Sequence, residues 1–255
     1  MSLLQPKILR FESIDSTNLE AMRQARAGAP EGLCIVAREQ TRGRGRMDRT
    51  WQSPKDAGLY LSIILRPRIE ISAWPLMTLM ASLAVADALM RAYDLRVDIK
   101  WPNDICFNER KLCGILAETT ESEVGAAAIV GMGINLNADG LPRELRDVAT
   151  SVEAAAGRKP DGERMLNELI KAIADRYDLL QSSHGAEHTI REWCAGSSYA
   201  IGRRVRVSLP GDTLVGTTRG LESDGALRVE TDSGKIRIVR AGDVTGLREQ
   251  GGVDL

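Results

Sequence analysis

Apolar positions fall into two patterns along this chain. Short runs at residues 8–11, 33–37, 59–65, 97–100 and 126–136 end at turn formers or charged residues, which predicts buried strands. Residues 105–107 and 111–118 flank Asn108-Glu109-Arg110 and read as a hairpin. Between these runs lie segments of helical period. Leu19, Met22 and Ala25 form one apolar side after Asp15-Ser16-Thr17-Asn18, with Gly28 as the stop, and Thr17 and Glu20 stand at capping-box spacing. A long apolar helix opens at Ser72 or Ala73, takes Pro75 in its first turn and runs to Tyr93. Further helices are predicted over 151–156, 163–180 and 188–194.

After Gly196 the period changes to two. Val205, Val207 and Leu209 alternate with polar residues, as do Leu227 and Val229, then Ile236 and Ile238, with turns at Pro210-Gly211, Ser223-Asp224-Gly225 and Asp232-Ser233-Gly234. Four or five short strands at this spacing predict a small β-barrel. The expected organisation is α/β (α+β): a mixed sheet flanked by helices over 1–198, then a barrel over 199–255. Because the barrel strands alternate by themselves, its core should be separable from the first domain.

Composition narrows the function. The chain has 255 residues, 43% hydrophobic and 27% charged, with a formal net charge of -1. A molecule so nearly neutral has no overall footprint for a nucleic acid, so any basic site is local. Cys34, Cys106, Cys113 and Cys194 form no C-x-x-C pair, which leaves reduced thiols and a cytoplasmic location as the expectation. The most apolar stretch, 74–90, carries Asp87, Thr78 and Ser82 and is short for a membrane span.

The candidate chemistry centres on Gly43-Arg44-Gly45-Arg46-Met47-Asp48-Arg49-Thr50-Trp51. Arginine forks match carboxylate and phosphate oxygens, glycines let a ligand approach the main chain, and an indole offers a flat face to a planar ring. Clustered like charges argue for a loop that lacks one fixed conformation until an anion binds. Ser16 and Thr17 read as a helix cap or as hydroxyls aimed at a polar ligand. Two other strings carry less. Gly131-Met132-Gly133 lacks the third glycine of a dinucleotide fingerprint and lies in a strand. His184-Gly185-Ala186-Glu187-His188 matches a metalloprotease string, but Ser182-Ser183 and Gly185 read as a helix end, so it is taken as coincidence.

One ordered series is far more specific than any single motif. Asp15-Ser16-Thr17-Asn18, Glu39-Gln40-Thr41 with the arginine loop, Lys100-Trp101-Pro102-Asn103-Asp104, Lys111-Leu112-Cys113-Gly114-Ile115-Leu116 and Gly133-Ile134-Asn135 together strongly resemble biotin–protein ligases. The departure is Met47-Asp48, where the family often has arginine or another residue followed by glycine. The resemblance implies a class II synthetase-like catalytic domain with an SH3-like C-terminal barrel. It implies that ATP and biotin form biotinyl-5'-adenylate, with Mg²⁺ on the phosphates through ligands that cannot be assigned. Biotin then passes to a lysine of a biotin carboxyl carrier protein.

Carried onto this chain, the resemblance implies Lys111, Arg44, Arg46 and Asp104 as the catalytic set. It places biotin against Ser16, Thr17, Asn18, Gln40, Gly43, Arg44, Lys111, Gly114 and Ile115. It places ATP against Arg46, Arg49, Trp51, Asn103, Lys111 and Asn135. Trp101 and Pro102 are read as packing. Family members that repress transcription carry an N-terminal winged helix-turn-helix, whereas Ser16-Thr17-Asn18 stands near residue 1 here. A monofunctional ligase is expected, with no DNA or membrane partner and a homodimer left open. The rivals are a lipoate–protein ligase and a ligand-binding regulator or nucleic-acid module that uses the arginine loop on phosphates.

Overall fold

The computed structural model describes residues 4–247; positions 1–3 and 248–255 of the two predicted domains lie outside them. Seven strands form the first sheet: β1 (Lys7–Phe11), β2 (Leu33–Ala37), β3 (Gly58–Leu65), β4 (Asp98–Lys100), β5 (Asp104–Phe107), β6 (Arg110–Thr120) and β7 (Ala127–Asn135). Their order is β1-β2-β3-β7-β6-β5-β4, with β1 and β2 parallel and the remaining pairs antiparallel. Helix α1 (Thr17–Arg26) covers one face, where Ala21 and Ala25 meet Ile35, Ile64, Ala127 and Ile129. The other face carries α2 (Leu76–Tyr93) and, behind it, α4 (Gly162–Leu180) and α5 (Gly185–Ala195), after the short α3 (Val152–Ala156). α2 is long and apolar enough to cross a membrane, yet 72% of it is buried inside the molecule.

Alternation along the central strands decides which residues reach the α1 face. Leu61, Ile63, Val130, Met132 and Ile134 turn to α2 and the main core, which leaves Ser62, Gly131, Gly133 and Asn135 on the α1 side. Gly114 and Leu116, which pair with Gly133 and Gly131, share that side. Ile115 does not. It is 1% exposed and its side chain packs in the α2 core, so strand period corrects only the direction of the side chain, and Ile115 still borders the cavity from its strand.

The C-terminal sheet comprises β8 (Ile201–Leu209), β9 (Asp212–Leu221), β10 (Leu227–Glu230), β11 (Ile236–Val239) and β12 (Asp243–Gly246), in the order β11-β10-β9-β8-β12. Ile236 and Ile238 alternate as expected, but both are exposed, and Val239 is the buried residue of β11. The expectation of a separable core also changes. Val205, Val207, Leu214, Leu227, Val229, Val239 and Val244 belong to the same continuous core as α2 and the first sheet. Trp101 is part of that seam: it is 2% exposed, and its indole Nε1 donates to the Gly225 carbonyl at 3.0 Å.

Candidate active site

The α1 face of the first sheet carries a cavity of about 240 Å³, open on one side to the arginine loop. Its floor is shaped by glycine. A Cβ on Gly133 would stand 2.4 Å from Trp51 Nε1, and one on Gly114 would stand 2.9 Å from Trp51 Cζ3. The indole of Trp51 therefore lies across β6 and β7 where their side chains are missing. Its Nε1 is buried without a hydrogen-bond partner, which leaves a donor for a guest. Gly131 serves a second side chain, since a Cβ there would meet Asn18 Oδ1 at 2.0 Å. The glycine pair that fails as a dinucleotide fingerprint thus makes room for Trp51 and Asn18.

The first turn of α1 forms the second wall. Ser16 occupies the N-cap position with extended backbone (φ -157), yet its side chain makes no capping bond. The capping-box expectation is corrected too: Thr17 is already helical, and Glu20 accepts from Arg23 and Gln24 instead. The cap comes from a distant residue. Gln40 Oε1 accepts from the Thr17 backbone N–H at 2.8 Å and lies 3.1 Å from Thr17 Oγ1, while its Nε2 donates to Ser53 Oγ. An orphan N–H of the helix start is satisfied, and the Ser16 hydroxyl is left for the cavity. Asn18 is used internally. Its Nδ2 donates to Leu116 O and Glu118 Oε2, and Ser62 Oγ lies 2.6 Å from its Oδ1. Asn18 and Gln40 line the cavity as expected, and their amides are also engaged in bonds that brace its walls.

The arginine loop is folded on itself. Gly45 N donates to Arg49 O, Trp51 N donates to Gly43 O, and Arg44 bridges Thr50. Met47 and Asp48 form its tip at φ 53 and φ 58, so two non-glycine residues sit in the left-handed region. Gly43 does not line the cavity; it lies behind, where a Cβ would meet Trp51 O at 2.3 Å. The like charges that argue against a fixed loop each meet a partner from far along the chain. Arg44 Nη1 lies 3.0 Å from Glu118. Arg46 donates to Asn103 Oδ1 at 3.0 Å and to Gly242 O, and Arg49 pairs with Asp243. Burial pushes the Arg46 guanidinium below its ordinary pKa.

Lys111 reaches the cavity through an irregularity. Alternation from Gly114 would turn position 111 to the α2 face. Between Ile105 and Cys106 the β5–β6 register shifts, so that Lys111 pairs with Cys106 and Cys113 with Ile105. This bulge re-aims the lysine. Its Nζ lies 2.6 Å from Asp104 Oδ1, an ion pair without the alignment of a hydrogen bond, and 5.3 Å from the Trp51 ring centroid. Asn103 Nδ2 donates to Ile115 O, and Asn135 Nδ2 donates to Thr150 O at 3.0 Å, so both amides brace the backbone around the site.

Comparison with known proteins follows from this geometry. The profile of the Biotin/lipoate A/B protein ligase family matches residues 10–135, and that of the Biotin protein ligase C terminal domain matches residues 200–245. The Biotin--[acetyl-CoA-carboxylase] ligase of Mycobacterium tuberculosis is 34% identical over 91% of this chain and 86% of its own length. The chain belongs to the biotin protein ligase family. The Bifunctional ligase/repressor BirA of Bacillus spizizenii is 38% identical over 89% of this chain and 70% of its own length. Among solved structures, a biotin protein ligase from Aquifex aeolicus in complex with biotin and ATP superposes with a TM-score of 0.81. It is 29% identical, and the match covers 95% of this chain and 99% of that one.

In this ligase the cavity brings together every sequence-predicted site residue except Gly43, with Ile115 contributing from the core side of its strand. Several contributors were missed. Leu141, Pro142, Leu145 and Val148 form an apolar wall from an irregular segment without periodicity; the Lys111 N–H donates to Val148 O and ties that wall to β6. Asp243 enters from the C-terminal sheet, and Glu118 stands beside the cavity on β6. Only for Glu118 was there a sequence signal: a lone acid on the even-numbered face of a strand that also presents Gly114. The metalloprotease-like string is occupied otherwise. His188 Nε2 lies 2.8 Å from Glu192 Oε1, and His188 Nδ1 lies 2.8 Å from Arg191 Nη2.

Proposed function

We propose that the chain activates biotin with ATP as biotinyl-5'-adenylate, releasing pyrophosphate, and transfers the biotinyl group to a lysine of a biotin-dependent carboxylase. The observation that carries this reading is one cavity in which Arg44, Arg46 and Lys111 face the same space as the Ser16 hydroxyl at the start of α1. The first step brings a carboxylate against a phosphate, and preorganised cations lower that barrier. In this reading the α1 end and the glycine floor hold biotin. Trp51 and the apolar wall of 141–148 hold the nucleotide, and Lys111 stands at the reacting centre. Mg²⁺ would be carried by the phosphates of ATP and would offset part of their charge. The cavity carboxylates Asp104 and Asp243 are paired with Lys111 and Arg49, which fits a metal held mainly by ATP.

The carrier domain as acceptor, a cytoplasmic location, and the absence of DNA and membrane partners belong to the same proposal. The acceptor is supported by the similarity to a Biotin--[acetyl-CoA-carboxylase] ligase, the absence of a DNA partner by the net charge of -1, and the location by cysteines that are free, three of them buried. Burial raises the thiol pKa of Cys34 to about 12 and of Cys106 to about 11, so these thiols stay protonated. The test is pyrophosphate release with ATP plus biotin, lipoate or no acid, followed by transfer to a purified carrier domain. Release with biotin alone is expected. Release only with lipoate would assign the other branch of the family, and no release with either acid would refute a ligase.

A further inference from the structure

Glu118 has no part in the proposed chemistry, yet it stands where two critical segments meet. It lies on the cavity side of β6, and its side chain is 20% exposed. Oε2 accepts from Asn18 Nδ2 at 2.9 Å, and Arg44 Nη1 lies 3.0 Å from the carboxylate. Behind Asn18, Ser62 is fully buried, with its Oγ 2.6 Å from Asn18 Oδ1 and 2.7 Å from Thr17 Oγ1. A serine hydroxyl has a proton to share with that oxygen, which fixes the orientation of the amide and turns its N–H groups to Glu118. The line Ser62–Asn18–Glu118–Arg44 therefore runs from β3 through α1 and β6 to the arginine loop, and Gly131 leaves the gap through which Asn18 passes.

A carboxylate beside Arg44 works against simple anion binding, because it cancels part of the charge that attracts the ligand. Its benefit is directional. One end of a flexible guanidinium is held, and the N–H groups without a partner among the described residues are presented to the cavity. We infer that Glu118 is a positioning residue that orients Arg44 for the reaction between carboxylate and phosphate. This inference rests on the ligase reading, and only the unsubstituted protein's activity tests that reading.

The experiment compares the full chain with Glu118→Gln, which keeps the size and the acceptor for Asn18 but loses the charge. Misplacing a catalytic group typically costs up to on the order of 10²-fold in rate. Adenylate formation by Glu118→Gln should therefore fall roughly 10- to 100-fold in kcat. The KM for biotin should stay constant or fall, since Arg44 regains its full charge. Glu118→Asp should recover part of the rate. In an Arg44→Ala background the same substitution should have no further effect, a result that a merely structural carboxylate would not produce. A wild-type kcat, a raised KM at constant kcat, or an equal loss in the Arg44→Ala background would each overturn the inference. So would loss of activity explained by unfolding below the assay temperature in both Glu118 variants. If the unsubstituted chain releases no pyrophosphate with biotin, it is the ligase reading that fails.

Discussion

Replacing Lys111 by glutamine is the sharpest probe of the proposed adenylation centre. The ammonium sits 2.6 Å from Asp104 Oδ1, and Lys100 Nζ lies 3.9 Å from Asp104 Oδ2. Lys111→Gln therefore removes a cation from the cavity and leaves the Asp104 carboxylate, 18% exposed, with its weaker partner alone. A unit charge about 4 Å from the reacting group, at an effective dielectric near 20, contributes about 4 kcal/mol. Removing a preorganised electrostatic group from an active site typically costs ~3–4 kcal/mol, or on the order of 10²–10³ in rate. Both routes give the same scale. Biotin affinity should fall much less, because the α1 end of the cavity is untouched. Adding Asp104→Asn should restore part of the loss, since the uncompensated carboxylate goes with it. The assay is single-turnover adenylate formation beside equilibrium biotin binding. Arg44→Ala, for contrast, should weaken ligand retention as well as rate. If Lys111→Gln forms adenylate at the wild-type rate, the lysine is a surface group and the centre has been misplaced.

Gly133→Ala should displace Trp51, because the new Cβ would stand 2.4 Å from its Nε1; tryptophan emission should shift and the KM for ATP rise, and an unchanged spectrum with normal kinetics would refute the flat-indole floor. Removing residues 198–255 should destabilise what remains, because Trp101 loses Gly225 and the shared core is opened. Exposing half of an aromatic's ~200 Å² already costs about 2.5 kcal/mol. A truncated chain that melts at the same temperature as the whole would show the two cores to be independent. The Arg23 hydrogen bond, followed by the Ser16 N–H, holds Asp15 down from 3.8 to about 2. Its stabilisation is therefore present in full above pH ~4 and lost as pH falls through about 2. Arg23 is 52% exposed, so Asp15→Asn should cost ~1 kcal/mol or less at neutral pH and nothing below pH ~2. A destabilisation that grows in acid would contradict that sign.

Local pattern was enough to place the elements and to point to the family of chemistry. Apolar runs and helical period are local properties, and they placed the strands at 33–37 and 59–65 and the long helix ending at Tyr93 close to where they occur. The ordered motifs carried the ligase resemblance because each is a contiguous string. Direction and partnership came from packing. Period two alone turns Lys111 away from the site and puts Glu118 on its face without naming a partner; a register shift against β5 re-aims the lysine, and the loop supplies the acid's partner. The cap of α1 is Gln40, 23 positions from Thr17, so no window around Ser16 could reveal it. The loop arginines repel one another in sequence, and Glu118, Asn103 and Asp243 from distant segments supply their partners. Alternation also made the C-terminal strands look self-contained, whereas their inward residues complete a core shared with α2. In each case the energy lies in contacts between residues far apart in the chain. Local pattern fixes which faces exist, and packing decides what each face meets.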